Sequence, residues 1–270
     1  MTGPLTGIRA LVTRPAGQAL ALVQAIRTAS GVAVEFPLLE IVPLATDDRA
    51  ERATLAATLN ALDEFVIAIF ASSNAVQALF DELQRTGGRF PSALCCLAVG
   101  AATAQRLREA GIACAGGEAT MDSEELLARP ELAAVAGQRI VIFRGVGGRE
   151  HLADELTARG ASVTRCALYR RRAPAASPAQ LHEVLTRERI NTVLLSSGEG
   201  LANLLALLGG SAAGTIASQL AVVTPGERVA SLARSAGFAT VHAAANATDA
   251  AMLALLGAVA VPIRERTSTA

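Results

Sequence analysis

The sequence predicts an α/β protein of two similar lobes, each a doubly wound parallel sheet. Three observations carry the prediction. The chain repeats itself, its strand-like runs are short and continuously apolar, and these runs alternate with helical patterns of about ten to fourteen residues. Strands apolar on both sides need cover on both faces, which right-handed β-α-β crossovers supply. A length of 270 residues suits two such lobes.

The repeat fixes the elements in order. Gly7 to Arg14, a strand entering a turn, is followed by a helical pattern and a second strand from Gly31. Gly137 to Arg144 repeats that strand and turn, with its second strand from Gly160. The apolar run from Phe65 passes through Ser72-Ser73-Asn74 into a helix, and the run from Ile190 passes through Ser196-Ser197-Gly198 in the same way. Cys96 to Gly100, with a helix ending at Gly111, is matched by Leu220 to Gly226, with a helix ending at Gly237. Residues 36–43 and 165–173 end the two β-α-β units as extended connectors. Pro43 and Pro174 disfavour helix just before them. Ligands of such sheets bind beyond the carboxyl ends of the strands, where all of these turns lie.

Composition removes several function classes. Lys+Arg and Asp+Glu both number 24, so no overall field draws the chain to nucleic acid or to an anionic membrane. Aromatic residues make up 3% and Trp is absent, which leaves no platform for stacking bases. The apolar stretch from Ala250 to Ile263 is too short to span a bilayer and contains Gly257 and Pro262; it reads as a packed helix followed by strand or coil. Residues 264–270 read as a disordered tail. Cys95, Cys96, Cys114 and Cys166 have neither disulfide nor metal spacing and read as reduced core residues. His151, His182 and His242 lie in unrelated settings, so no metal is expected. The N-terminus enters a strand pattern at once, without leader features, and a cytoplasmic protein is expected. Gly145 to Gly148 lacks the spacing of a dinucleotide loop, so no cofactor is expected. Asp122 with Glu125 has the form of a capping box rather than of an acid–base pair.

Several segments stand out as motifs in order along the chain. They are Val12-Thr13-Arg14-Pro15, Pro37 to Ile41, Ala71 to Val76 and Ala98 to Ala104 in the first half. In the second half they are Arg144-Gly145, Gly147-Gly148-Arg149, Ala167 to Arg171 and Ser196 to Leu201. In their order and spacing these segments resemble the uroporphyrinogen-III synthase family, and they extend over nearly the whole chain. Ala71 and the turn Thr224-Pro225-Gly226-Glu227 depart from the commonest family pattern. The resemblance implies Rossmann-like lobes joined by a two-stranded β-ladder acting as a hinge. One lobe would comprise residues 1–36 with 173–263, the other residues 43–165, with connecting strands at 36–43 and 165–173.

It also implies a cofactor-free enzyme, a cyclising hydro-lyase, and a cleft enzyme of this size without an evident apolar seam is expected to be a monomer. Its substrate would be the linear tetrapyrrole hydroxymethylbilane, received through a transient contact with the upstream bilane synthase. Closure to uroporphyrinogen III inverts the last ring through a spiro intermediate and loses water. A polyanionic substrate suits backbone N–H groups at helix N-termini. The candidate turns are residues 14–18, 72–75, 100–103, 144–149, 197–200 and 226–228, with Ser73, Gly100, Gly145, Gly198 and Gly226 among them. Ser72 and Ser197 read either as donors to carboxylates or as ordinary N-caps. Arg14, Arg144, Arg149 and Arg228 are candidate carboxylate partners; for Arg14 and Arg144 the alternative is a shared structural pairing or a solvated surface. Thr103 is either ligand-facing or bonded back to a carbonyl. Tyr169, the one tyrosine, stands where the family motif has its proton-donating phenol, and otherwise reads as a connector aromatic packed against the ladder. The alternative is an inactive tetrapyrrole- or anion-sensing module of the same fold.

Overall fold

In a computed structural model, which describes residues 3–116, 123–148, 150–209 and 212–267, the apolar runs form strands covered on both faces. The chain opens with β1 (Arg9–Val12), α1 (Leu20–Thr28), β2 (Val32–Glu35) and β3 (Glu40–Pro43). It continues through α2 (Arg49–Asn60), β4 (Ile67–Phe70), α3 (Ser73–Thr86), β5 (Cys95–Ala98), α4 (Ala101–Glu109) and α5 (Ser123–Leu127). Then come β6 (Arg139–Gly145), α6 (His151–Ala158), β7 (Ser162–Arg172), α7 (Pro178–Arg187), β8 (Thr192–Leu194) and α8 (Gly198–Leu208). The last elements are α9 (Ala212–Gln219), β9 (Ala221–Thr224), α10 (Glu227–Ser235), β10 (Thr240–Ala243) and α11 (Asp249–Thr267).

These elements form two compact units, Met1–Glu40 with Arg172–Ala270, and Ile41–Arg171. The first holds a five-stranded sheet in the order β2-β1-β8-β9-β10, with every neighbouring pair parallel. In chain order this is second, first, third, fourth, fifth, a doubly wound sheet whose connections leave in opposite directions between β1 and β8. The second unit's sheet runs β3-β7-β6-β4-β5, and β7, β6, β4 and β5 pair in parallel. Its reversal lies between β6 and β4. The repeat is thus visible strand for strand, with β6, β7, β4 and β5 standing for β1, β2, β8 and β9.

Alternate residues of each central strand feed different cores, which is why the runs are apolar throughout. In β4, Ala68 and Phe70 pack on one face of the sheet and Ile67 and Ile69 on the other. In β6, Val141 and Phe143 share the first core, and Ile140 and Ile142 the second. Phe70 and Phe143 are register partners, both fully buried, with ring centroids 5.2 Å apart. Such a pair adds about 0.5–1.5 kcal/mol to what its buried area contributes. In the first unit, Ala10 and Val12 face the core beneath α1 and α11, while Leu11 joins Val193 and Val222 on the other face.

Five boundaries differ from the sequence reading. The connector expected at 165–173 is not a separate strand but the continuation of β7, because no proline interrupts the ladder before Pro174. β3 occupies only the second part of the connector at 36–43 and lies beside β7. α11 carries helical backbone through Pro262 to Thr267, where strand or coil was expected up to Ile263 and a disordered tail from Arg264; the Arg and Glu residues of the last turn are good helix formers. α1 starts only at Leu20 and α6 at His151, so the turns after β1 and β6 are loops rather than helix N-termini. Asp122, the first residue of the expected capping box, lies outside the described residues.

Candidate active site

In the second unit, the ends of β4, β5, β6 and β7 supply every candidate residue around the reversal of the sheet. Ser72 follows β4 and is the N-cap of α3, its Oγ accepting from the Ala75 N–H at 3.1 Å. Ser72 thus caps its own helix. The same oxygen also lies 2.9 Å from the phenol oxygen of Tyr169, on β7. Tyr169 is buried, at 4% exposure. Its ring rests against the backbone of Gly145, where a Cβ would stand 2.7 Å from ring atom Cε2. The ladder between β6 and β7 shifts register at Arg144/Gly145, and Val146 donates its N–H to the Tyr169 carbonyl at 2.9 Å. Gly145 is thus required by a close approach, and the local irregularity of the strand pair fixes the tyrosine against it.

Arg144, near the end of β6, is only 6% exposed. Its Nη2 donates to Glu150 Oε1 at 3.0 Å, and Glu150 also accepts from Arg165 Nε at 2.8 Å. The Arg144 hydrogen bond holds the Glu150 carboxyl below the usual glutamate range, against the opposing effect of desolvation, and Arg165 adds to the lowering. The guanidinium lies against Gly148, where a Cβ would be 2.8 Å from Nε and Nη2. Arg149 lies outside the described residues.

Gly100 follows β5 and is the N-cap of α4, at φ 85°, a conformation that favours glycine. It has no side chain to offer, so the first N–H groups of α4 remain uncapped by it. Thr103 is 3% exposed, and its hydroxyl makes no hydrogen bond among the described residues, which is not the back-bonded arrangement. Ser73, next to Ser72, likewise has no side-chain partner among the described residues.

The first unit repeats the plan. Thr13, at the end of β1, donates its hydroxyl to the Leu194 carbonyl at 2.6 Å, tying β1 to β8 at the reversal. Arg14 is ion-paired with Asp249, the first residue of α11, and donates to the Ala247 carbonyl at 2.9 Å. Arg14 and Arg144 therefore share the structural pairing that was the alternative for them. Ser197 is the N-cap of α8, accepting from the Gly200 N–H at 3.0 Å. Gly226 begins α10 with no side-chain cap. Arg228, in the first turn of α10, is exposed and has no ion-pair partner among the described residues. Its Nη1 would be 3.8 Å from a Cβ placed on Gly198. A cation there opposes the helix dipole unless an anion joins it.

Thr13, Glu150 and Asp249 were not among the candidate residues. Glu150 and Asp249 had no sequence signal, since their arginine partners come from elsewhere in the chain. Gly148 was legible only as part of a glycine-rich turn. Among the described residues, no His, Cys, Asp and Glu side chains group as a metal site, and no helix is long and apolar enough to cross a membrane.

Residues 21–254 match the family model described as uroporphyrinogen-III synthase HemD. The uroporphyrinogen-III synthase of Salmonella typhimurium is 35% identical over 247 residues, covering 91% of this chain and 98% of that protein. The one from Escherichia coli is 34% identical over 247 residues, with the same coverage. Among solved structures, a mutant uroporphyrinogen III synthase from the extremely thermophilic bacterium Thermus thermophilus covers 94% of this chain and 99% of its own, at 16% identity and a TM-score of 0.60. That likeness speaks for the fold, and the two relatives with the family model speak for the lineage: the chain belongs to the uroporphyrinogen-III synthase family.

Proposed function

We propose that this chain is a cyclising hydro-lyase that closes hydroxymethylbilane to uroporphyrinogen III, with inversion of the last ring through a spiro intermediate and release of water. The observation that carries the reading is the pair of helix N-termini, of α4 and α10, that stand beyond strand ends without a side-chain cap. Open N–H groups at the positive end of a helix dipole suit carboxylates, and the bilane is rich in them. Arg228 adds a guanidinium at the second of these.

Holding the bilane is most of the task. A flexible chain held with its ends in one geometry closes by one route, and the route that would give the uninverted isomer is disfavoured by position. In the reaction the carbon–oxygen bond to the terminal hydroxyl breaks, and Tyr169 gives its proton to the departing oxygen, which leaves as water. The phenol recovers a proton from the ring carbon that loses one when the macrocycle regains its pyrrole. The reading needs no cofactor. The four unpaired cysteines suit a reducing compartment, and we place the protein in the cytoplasm, working as a single chain that takes the bilane from the upstream synthase by transient contact.

The test is a coupled reaction in which a bilane synthase generates hydroxymethylbilane, with and without this protein, and the oxidised products are separated into isomers I and III. Isomer III is expected to predominate with no added metal or nucleotide. An unchanged excess of isomer I, from folded protein, would overturn the reading.

A further inference from the structure

We propose that Ser72 is a positioning residue for Tyr169, donating its hydroxyl proton to the phenol oxygen so that the phenol's own proton is turned toward bound substrate. The inference rests on the synthase reading and assigns Ser72 a task other than gripping a carboxylate.

A serine hydroxyl has one proton to give and two lone pairs to accept with. One lone pair of Ser72 is taken by the Ala75 N–H at 3.1 Å. Its other hydrogen-bonding neighbour is the Tyr169 oxygen at 2.9 Å, and either atom is placed to donate. Two arrangements follow. If the phenol donates to Ser72, its proton is tied up in the fold and is not available to a leaving group. If Ser72 donates to the phenol, the bonds run in one direction, from the Ala75 N–H through the Ser72 hydroxyl to the Tyr169 oxygen, and end in a free phenol proton. The second arrangement is favoured by polarisation along the series: an N–H bond into Oγ strengthens Ser72 as a donor. It is favoured again by position, because Ser72 caps α3 and the positive end of that helix stabilises negative charge building on the phenol oxygen as its proton departs.

Gly145 holds the other side of the phenol. A Cβ there would lie 2.8 Å from Cζ and 3.2 Å from the phenol oxygen, so the ring can take this seat only over glycine. Ser72 follows β4, Gly145 ends β6 and Tyr169 lies within β7, with β6 and β4 flanking the reversal of the sheet. The hydroxyl is therefore aimed by three strands rather than by one flexible loop.

The chain's composition gives a direct test. Tyr169 is the one tyrosine and there is no tryptophan, so the near-ultraviolet absorption band reports this phenol almost alone. A phenol oxygen that accepts a hydrogen bond absorbs at shorter wavelength than one that does not, and a phenol that donates absorbs at longer wavelength. Ser72→Ala is expected to move the band to longer wavelength, and Ser72→Thr to leave it near the wild-type position. A move to shorter wavelength, or none, would overturn the assignment of donor and acceptor. In the isomer assay, Ser72→Ala should lower kcat about tenfold with KM held within about twofold, and Ser72→Thr should restore most of the rate. Ser72→Gly keeps most of the capping preference, so it should lose the rate while keeping the melting temperature. In the Tyr169→Phe background, Ser72→Ala should cost nothing further, since the two act as one unit. Equal losses in both backgrounds would overturn the inference while leaving the synthase reading standing. If wild-type protein forms no isomer III, the synthase reading falls, and the absorption band still decides whether Ser72 donates to Tyr169.

Discussion

Gly145→Ala places a methyl group where the ring of Tyr169 already lies. The new Cβ would stand 2.7 Å from Cε2 and 2.8 Å from Cζ. Carbon atoms in contact rest at about 3.5 Å or more, so the ring must retreat by roughly 0.8 Å. Tyr169 is buried, and its backbone is tied to β6 through the Val146 N–H, so the retreat must come from the ring or from the strand pair itself. A movement of that size displaces the phenol oxygen against Ser72 and takes their 2.9 Å hydrogen bond out of its present geometry. Overpacking of this kind costs about 1–3 kcal/mol of stability. Misplacing a proton donor by about 1 Å costs on the order of a hundredfold in rate, so a loss between tenfold and a hundredfold is expected. Urea unfolding measures the first quantity and the initial rate of isomer III formation the second. Gly257→Ala is the matched control: nothing lies within 4 Å of a Cβ there, and in a helix the change should be neutral or stabilising by up to about 1 kcal/mol. If Gly145→Ala kept both wild-type stability and wild-type rate, the seat described for Tyr169 would be wrong.

Three further outcomes are expected. Arg228→Gln should raise KM for the bilane about tenfold with kcat little changed, as expected for loss of a charge-assisted bond to a carboxylate; an unchanged KM in steady-state kinetics would remove Arg228 from the site. Glu150 has its folded pKa held below its unfolded value, so its pairing with Arg144 contributes stability above the ordinary glutamate range and loses it as pH falls through the lowered value; wild type should therefore lose more stability than Glu150→Gln between neutral pH and that window, in paired urea titrations. Burial pushes the Cys96 and Cys166 thiols up to about 12, so at mildly alkaline pH both should resist alkylation in the folded protein while half-buried Cys95 and Cys114 react first, as peptide mass mapping would show.

The strands were legible because each is a run of apolar residues that must feed two cores. Ile67 to Phe70 and Ile140 to Phe143 each lie in a run read as a strand, and they pair residue for residue in the sheet. The turns were legible for the same reason, since each follows a matched strand. Pairing of side chains across the sequence was not. Arg14 and Arg144 were equivalent by repeat, but their carboxylate partners, Asp249 and Glu150, follow from where α11 and α6 begin, and nothing in the repeat specifies that. Ser72 could be read as a cap from its place before a helix. That its oxygen also meets Tyr169, on β7, depends on the order of strands in the sheet and on the register shift beside Gly145. The start of α1 was misplaced and β7 was divided at Arg165 because propensity fixes boundaries weakly, whereas ladder hydrogen bonds continue until a proline stops them.

Backbone amide exchange, followed residue by residue with and without uroporphyrinogen III, tests most directly whether the turns beyond the strand ends form the site. Protection on binding should concentrate at residues 72–75, 100–103, 144–148, 197–200 and 226–228, with the uncapped starts of α4 and α10 most affected. The opposite end of the first sheet carries a cavity of about 400 Å³ lined by His182, Arg189, Gln219 and Leu220, among others, and its amides should be unchanged. Protection centred on that cavity, with the strand-end turns unaffected, would contradict the assignment.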